Sequence, residues 1–222
     1  MSPKETLHSP DGGKCHQSVL EHMYETGEWS DLTVRSSDNT LFKVHKSVVC
    51  AASTFFREAC ISAPGFRETH ATIVDLAECD CIVMAILKHF YSLSATFTTP
   101  DLYQWDEAVT IDNGQHLIRL RIAIDKYGID SMAATIEKTL STFLFRAAEL
   151  RKADIVVRIG CRLFDEPCDL FKPSRFDALQ ATAKLVPRIL CNDKTFEMWH
   201  GNAKYMQSTL KVREVMRLGE LE

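Results

Sequence analysis

Residues 31–35 read Asp31-Leu-Thr-Val-Arg35, and residues 40–45 read Thr40-Leu-Phe-Lys-Val-His45. Both runs are rich in β-branched and aromatic residues, which suit a half-buried pleated surface. The four residues between them, Ser36-Ser-Asp-Asn39, are polar turn formers. This stretch therefore predicts a β-hairpin. The β-branched run at residues 71–76 predicts a third short strand.

Helical periodicity lies on both sides of these strands. Residues 17–26 carry apolar side chains at helical spacing, and Gly27 is expected to end that helix. From residue 46 to residue 59 a broad apolar stripe predicts one core-facing helix. A further helix is predicted after the third strand, with Asp80 as its cap.

The segment from residue 94 to residue 116 is polar and contains Pro100, Asn113 and Gly114. These residues predict a long, partly ordered connection. Beyond it, apolar stripes from residue 117 onward predict helices only, with prolines between them.

Strands that occur only early, among many helices, exclude a doubly wound sheet. The predicted fold class is α+β: a small three-stranded sheet flanked by a cluster of helices, followed by an all-helical C-terminal extension.

Composition excludes several classes of function. The chain has 222 residues, of which 45% are hydrophobic, as in an ordinary globular protein. Its formal net charge of −4 disfavours general nucleic-acid binding, which needs excess Lys and Arg. We find no apolar run of membrane-spanning length and no secretory signal, so we expect no membrane partner and a cytoplasmic or nuclear location.

The eight cysteines are scattered, and we expect them to be reduced thiols. The spacing of Cys79 and Cys81 is one that zinc sites rarely use, so no metal is predicted.

No catalytic motif is present: the sequence lacks G-x-S-x-G, a P-loop, G-x-G-x-x-G and H-E-x-x-H. We therefore expect no enzyme, no catalytic residue, no cofactor and no small-molecule substrate. Cys50 and Cys60 lie in an apolar stripe, where burial would raise the thiol pKa and disable them as nucleophiles. An enzyme without a known motif remains only as a third hypothesis.

Two runs in the hairpin region resemble the opening of a BTB/POZ domain: Gly27-Glu-Trp-Ser-Asp-Leu-Thr-Val and Phe42-Lys-Val-His-Lys-Ser-Val-Val. Further signatures of that family follow in its order. They are Ser53-Thr-Phe-Phe, Phe66-Arg-Glu, Ile73-Val-Asp-Leu, Leu87-x-x-Phe-Tyr and Ala123-x-Asp-Lys-Tyr-Gly-Ile.

The resemblance covers residues 15–144. It leaves residues 1–14 as a predicted disordered leader and residues 145–222 as a helical C-terminal extension. The polar insert and the helical tail resemble the BTB proteins of filamentous fungi.

The resemblance implies a protein-interaction module without chemistry of its own. Some members of the family dimerise, and others link a substrate-binding partner to the cullin scaffold of a ubiquitin ligase. In cullin-binding members an apolar-x-Glu motif precedes the third strand, and Phe66 and Glu68 match it. Alternatively, Phe66 packs on its own core and Glu68 is solvated.

Asp31 and Lys46 match an acid and a base that lie in a groove at the dimer interface of the transcription-factor branch of the family. We favour a structural interpretation, in which they form an ion pair that fixes the hairpin against the following helix. His45 is predicted to pack beneath the hairpin, with one ring nitrogen bonded to the main chain.

The first predicted helix presents Leu20, Met23 and Tyr24, which form either a homodimer interface or a cover for their own domain.

Two functions therefore remain open: an interaction adaptor, with a cullin as one candidate partner, and a self-associating scaffold in transcriptional or chromatin regulation.

Overall fold

A computed structural model describes residues 12–62, 72–93, 107–167 and 169–219. Contacts between Cα atoms group the chain into two compact units. The first unit takes the residues up to Thr96 together with Lys126–Ile129, and the second takes Phe97–Asp125 and Asp130–Glu222. The predicted division at residue 144 is not tested by this grouping and stays a prediction.

The first unit contains a small sheet and short helices. In chain order its elements are α1 (Gly12–Thr26), β1 (Leu32–Arg35), β2 (Leu41–Val44), α2 (Lys46–Ala52), α3 (Thr54–Ser62), β3 (Thr72–Asp75) and α4 (Asp80–Phe90). The strand order is β2-β1-β3. Strand β1 is antiparallel to β2 and parallel to β3, with Val34 opposite both Phe42 and Val74. The predicted hairpin, third strand and α+β class are thus confirmed.

The central strand shows why this region folds as a sheet. Leu32 and Val34 are buried, at 2% and 0% exposure, while the alternate residues Thr33 and Arg35 are half-buried. This period of two places one face of β1 on the core. Val44 of β2 is also fully buried, so the hairpin contributes one continuous apolar face.

Ser53 divides the helix that the sequence predicts over residues 46–59. Its main chain is extended, and its N–H donates to Val49 O at the end of α2. Its hydroxyl accepts a hydrogen bond from Phe56 N–H at 3.4 Å and donates to Tyr127 O at 2.6 Å. The prediction of one helix was wrong because Ser53 ends α2 and caps α3.

Two helix starts also differ from the predicted ones. Helix α1 begins at Gly12 rather than Gln17, so the last residues of the predicted leader are helical. Helix α4 begins at Asp80 itself, with Cys79 in the cap position. Gly27 ends α1 as predicted, because its φ of +63° is strained for other residues and an added Cβ would lie 3.0 Å from Lys43 Cβ.

The second unit is helical. Its elements are α5 (Glu107–Lys126, whose last residue belongs to the first unit), α6 (Asp130–Glu149), α7 (Ala153–Asp165), a 3-10 helix (Asp169–Phe171), α8 (Lys172–Leu190), α9 (Asp193–Gly201) and α10 (Ala203–Gly219). Helix α8 lies at the centre, in contact with α6, α7, α9 and α10. The predicted all-helical C-terminal region is confirmed, although Pro187 lies inside α8 rather than between helices.

The predicted connection over residues 94–116 was wrong for its second half, which belongs to α5. Residues 94–106 lie outside the described ranges. Gly114 lies where α5 approaches Phe143 and Ile159, since an added Cβ would be 2.7 Å from Ile159 Cδ1. Thr110 is buried as well, at 3% exposure. Residues that predicted a loop therefore serve close helix packing.

Among the described residues, none of the helices combines the length and the apolar character needed to cross a bilayer.

Candidate protein-interaction site

His45 is a buried polar residue at the end of the hairpin. It is 3% exposed, and its Nε2 lies 2.7 Å from the carbonyl oxygen of Glu28. Its Nδ1 lies 2.6 Å from the hydroxyl of Tyr91. Because a carbonyl only accepts, Nε2 carries the hydrogen and Nδ1 accepts from Tyr91. The prediction that His45 packs beneath the hairpin with one ring nitrogen on the main chain is confirmed.

Tyr91 completes this network from the end of α4. Its hydroxyl also accepts a hydrogen bond from the main-chain N–H of His45 at 2.9 Å. Burial raises the pKa of Tyr91 to about 12, so the phenol stays protonated and able to donate. The network orients and stabilises, since every hydrogen-bonding atom on the imidazole has a structural partner.

Asp31 and Lys46 lie together, as predicted. Asp31 Oδ1 accepts a hydrogen bond from the main-chain N–H of Lys46 at 2.7 Å. Lys46 is the first residue of α2, so the exposed carboxylate of Asp31, directly before β1, caps that helix. This contact runs through the main chain of Lys46. The predicted ion pair between the two side chains, and their predicted role in partner binding, stay predictions.

A second polar cluster was missed by the sequence analysis. Glu78 accepts from Lys126 Nζ at 3.0 Å and, through its other oxygen, from the hydroxyl of Tyr127. Tyr127 is 1% exposed and also accepts from Ser53 through its main-chain oxygen. These bonds tie the segment after β3 to the residues at the end of α5 within the first unit. No local sequence pattern predicts these hydrogen bonds, because the bonded residues are far apart in the sequence.

The three α1 residues predicted as an interface are half-buried. The ring of Tyr24 packs against that of Tyr91, with centroids 5.3 Å apart, so part of the stripe covers its own unit. Leu20 and Met23 lie on the same helix and keep part of their surface accessible. Tyr24 thus helps to cover its own unit, and a dimer interface formed by the three residues stays a prediction.

Apolar side chains that the sequence analysis did not single out lie near α1. They are Val19, Trp29 and Leu41, which are 51%, 78% and 60% exposed. Leu41 lines a cleft of about 380 Å³ between residues 24–27 of α1 and its turn and residues 41–43 of β2. We call Val19, Trp29, Leu41 and the three predicted α1 residues the α1–β2 face. The sequence held a signal for an exposed Trp29, since this residue lies two positions after the glycine that ends α1.

Phe66 and Glu68 lie outside the described residues, so their predicted part in partner binding stays a prediction. The strand that follows them, β3, pairs with β1 alone among the described residues. Ile73 on this strand is 49% exposed, and Asp75 forms an exposed ion pair with Arg35 at 2.5 Å. The strand that follows the predicted motif in the sequence thus carries accessible apolar and charged side chains.

The thiols are the remaining reactive groups. Burial raises the pKa of Cys60 to about 11, in agreement with the expectation that it is a poor nucleophile. Cys79 Sγ and Cys81 Sγ lie 2.8 Å apart, and a carboxylate oxygen of Asp80 lies within 4.8 Å of both. Burial also raises the pKa of Cys81 to about 11, which opposes the thiolate form that metals bind. The absence of a metal stays a prediction.

A family model for the BTB/POZ domain matches residues 20–144, which is more than half of the chain. The protein therefore belongs to the BTB/POZ family, whose domain typically serves protein–protein interaction rather than catalysis.

The chain is also similar to the BTB/POZ domain-containing protein At2g30600 of Arabidopsis thaliana, with 25% identity over 179 residues. The similarity covers 80% of this chain but only 20% of that relative, so the chain spans about a fifth of its length. This relative is a plant protein, and the predicted fungal type stays a prediction.

Proposed function

We propose that this protein is a substrate adaptor that connects a client protein to the cullin scaffold of a ubiquitin ligase. The observation that carries the proposal is the Phe66-Arg-Glu motif ahead of β3, in a chain that belongs to the BTB/POZ family. The resemblance implies cullin binding for members with an apolar-x-Glu motif at this place.

The chemistry of the motif suits a docking contact. An aromatic anchor such as Phe66 gains most when it enters a desolvated pocket of the partner. The carboxylate of Glu68 would accept charge-assisted hydrogen bonds from main-chain or side-chain donors beside that pocket. Ile73 of β3, which follows the motif in the sequence, is 49% exposed and offers an accessible apolar side chain to a partner.

The proposal is tested by isothermal titration of the full chain with the N-terminal region of a cullin. The double variant Phe66→Ala/Glu68→Ala is expected to weaken binding by at least about a hundredfold, since anchor residues carry most of the binding energy. The matched control is Phe176→Ala/Glu214→Ala, because both side chains are exposed in the second unit. No binding by the unaltered chain, or equal weakening by the control, would refute the cullin function.

A second candidate function is a self-associating scaffold in transcriptional or chromatin regulation. The exposure of Val19, Trp29 and Leu41 favours it, since large exposed apolar side chains are typical of interfaces. Light scattering is expected to give the mass of a dimer, and Val19→Ser/Trp29→Ser a monomer. A monomer at the highest attainable concentration would contradict this function.

We place the protein in the cytoplasm or nucleus. The described cysteines are free thiols, which supports a reducing compartment. Fluorescence microscopy of the tagged chain tests this, and a signal confined to the secretory pathway would contradict it.

A further inference from the structure

The second unit contains a small polar cavity of about 320 Å³ that the proposed function does not use. It lies where the N-terminal ends of α7 and α9 meet the C-terminal end of α8. Four basic side chains and one acidic side chain line it, which gives this cavity a local charge of +3 in a chain with a net charge of −4. The charged residues are Arg151, Arg158, Arg188, Lys194 and Asp154.

These four cations have no carboxylate within ion-pair distance in the part of the chain that the structure describes. Other basic residues of the second unit do have such partners: Arg121 lies 3.0 Å from Glu137, and Lys172 lies 2.7 Å from Asp169. Like charges repel, so holding four cations around one cavity costs stability unless an anion enters. The arrangement is therefore one that an anionic ligand would stabilise.

Two atoms in the cavity wall are buried without a hydrogen-bond partner: Arg158 Nε and Asp154 Oδ2. They lie one helical turn apart on α7. The first needs an acceptor and the second needs a donor, because a guanidinium only donates and an ionised carboxylate only accepts. Buried polar groups are nearly always paired in folded proteins. A ligand that fits this cavity would thus bring both an oxyanion and an N–H or O–H group.

The N-terminal ends of α7 and α9 also favour an anion in this cavity. Ala153 and Asp154 belong to the first turn of α7, and Lys194 and Thr195 to the first turn of α9. The N-terminal end of a helix carries a partial positive charge, which favours anions. Two such ends act in the same direction as the four cations, and the C-terminal end of α8 opposes them with a partial negative charge.

We propose that this cavity binds the phosphorylated serine or threonine side chain of a peptide. A phosphate monoester carries close to two negative charges at neutral pH and matches a site of charge +3 better than a carboxylate does. The main-chain N–H groups beside the phosphorylated residue supply the donor that Asp154 Oδ2 needs. The volume admits one side chain rather than a run of nucleotides. The biological reading, that a phosphorylated client docks here, rests on the proposed adaptor function.

The experiment titrates the full chain with blocked tripeptides at low salt and follows amide shifts by NMR. The probes are acetyl-Gly-phosphoserine-Gly-amide, its glutamate and serine counterparts, and inorganic phosphate. We expect the phosphoserine peptide to bind at least about tenfold more tightly than the other three probes, because charge-assisted hydrogen bonds to a dianion are the strongest available.

The variants Arg188→Gln and Lys194→Gln remove exposed cations from the rim and are expected to weaken phosphopeptide binding several-fold. Lys211→Gln removes one exposed positive charge from α10, outside the cavity lining, and is expected to leave binding unchanged. Equal binding of the glutamate peptide, the serine peptide or inorganic phosphate, or equal weakening by Lys211→Gln, would overturn the proposal. None of these outcomes bears on the cullin titration, so the two proposals fail separately.

Discussion

The hydroxyl of Tyr91 lies 2.6 Å from Nδ1 of His45 and 2.9 Å from the main-chain nitrogen of the same residue. The tyrosine ends α4 and the histidine ends the hairpin, so one side chain joins the sheet to a helix 46 residues later in the chain. Both residues are buried, at 0% and 3% exposure. This contact fixes the end of the hairpin against the end of α4.

Replacing Tyr91 with Phe is expected to lower the free energy of unfolding by about 1–3 kcal/mol, because His45 then keeps a buried acceptor and a buried N–H without a partner. Urea denaturation of the full chain measures this loss. The control is Tyr24→Phe, whose ring packs beside the same tyrosine and whose hydroxyl makes no hydrogen bond to another described residue, and it is expected to change stability little. Equal effects of the two substitutions would contradict this reading of the network.

Replacing Gly114 with Ala is expected to lower the free energy of unfolding by about 1–2 kcal/mol. Overpacking a filled core costs about 1–3 kcal/mol, and the gain in helix propensity of up to about 1 kcal/mol offsets part of it. Phe143 and Ile159 are fully buried and cannot swing away from the new Cβ.

Two further variants check the Gly114 contact by thermal and urea unfolding. Gly201→Ala, whose new Cβ would meet nothing within 4 Å, is expected to be neutral or stabilising. Ile159→Val removes the nearest atom, so Gly114→Ala in that background should cost less than in the unaltered chain. A cost that is the same in both backgrounds would place the strain elsewhere.

Asp31→Ala is expected to lower the free energy of unfolding by about 1 kcal/mol, because α2 loses the acceptor at its first N–H. Asp31→Asn retains an acceptor oxygen and should lose less. Comparing these two variants distinguishes a helix-capping role of Asp31 from a role in a charged binding groove. If the charge itself were needed, both substitutions would weaken partner binding equally. Asp125→Ala, an exposed acid near the end of α5, serves as the control and should cost nothing.

The thiols are expected to differ in reactivity. With a pKa of about 11, Cys60 is thiolate in only about one molecule in a thousand at pH 8, and it is also buried. Iodoacetamide should therefore label the exposed Cys191 long before Cys60. Raising the pH toward 11 should speed labelling of Cys60 as the thiolate fraction grows. Mass spectrometry of tryptic peptides gives the order, and early labelling of Cys60 in the folded chain would disprove it.

The sequence by itself determined what depends on local periodicity. The alternation in Leu32, Thr33 and Val34 placed one face of β1 in the core, and the helical stripes of α4 to α8 were visible for the same reason. The ordered signatures from Gly27 to Ile129 also sufficed to indicate the family.

The tertiary structure alone decided what depends on distant partners. In the sequence Gly114 looks like a loop residue, but in the fold Phe143 and Ile159 pack against it. Ser53 ends a helix, and its hydroxyl donates to Tyr127 O, the residue that follows α5. The cavity with four cations forms from the ends of three helices. Contacts between residues far apart in the chain leave no period in the sequence, since each depends on packing that only the folded chain completes.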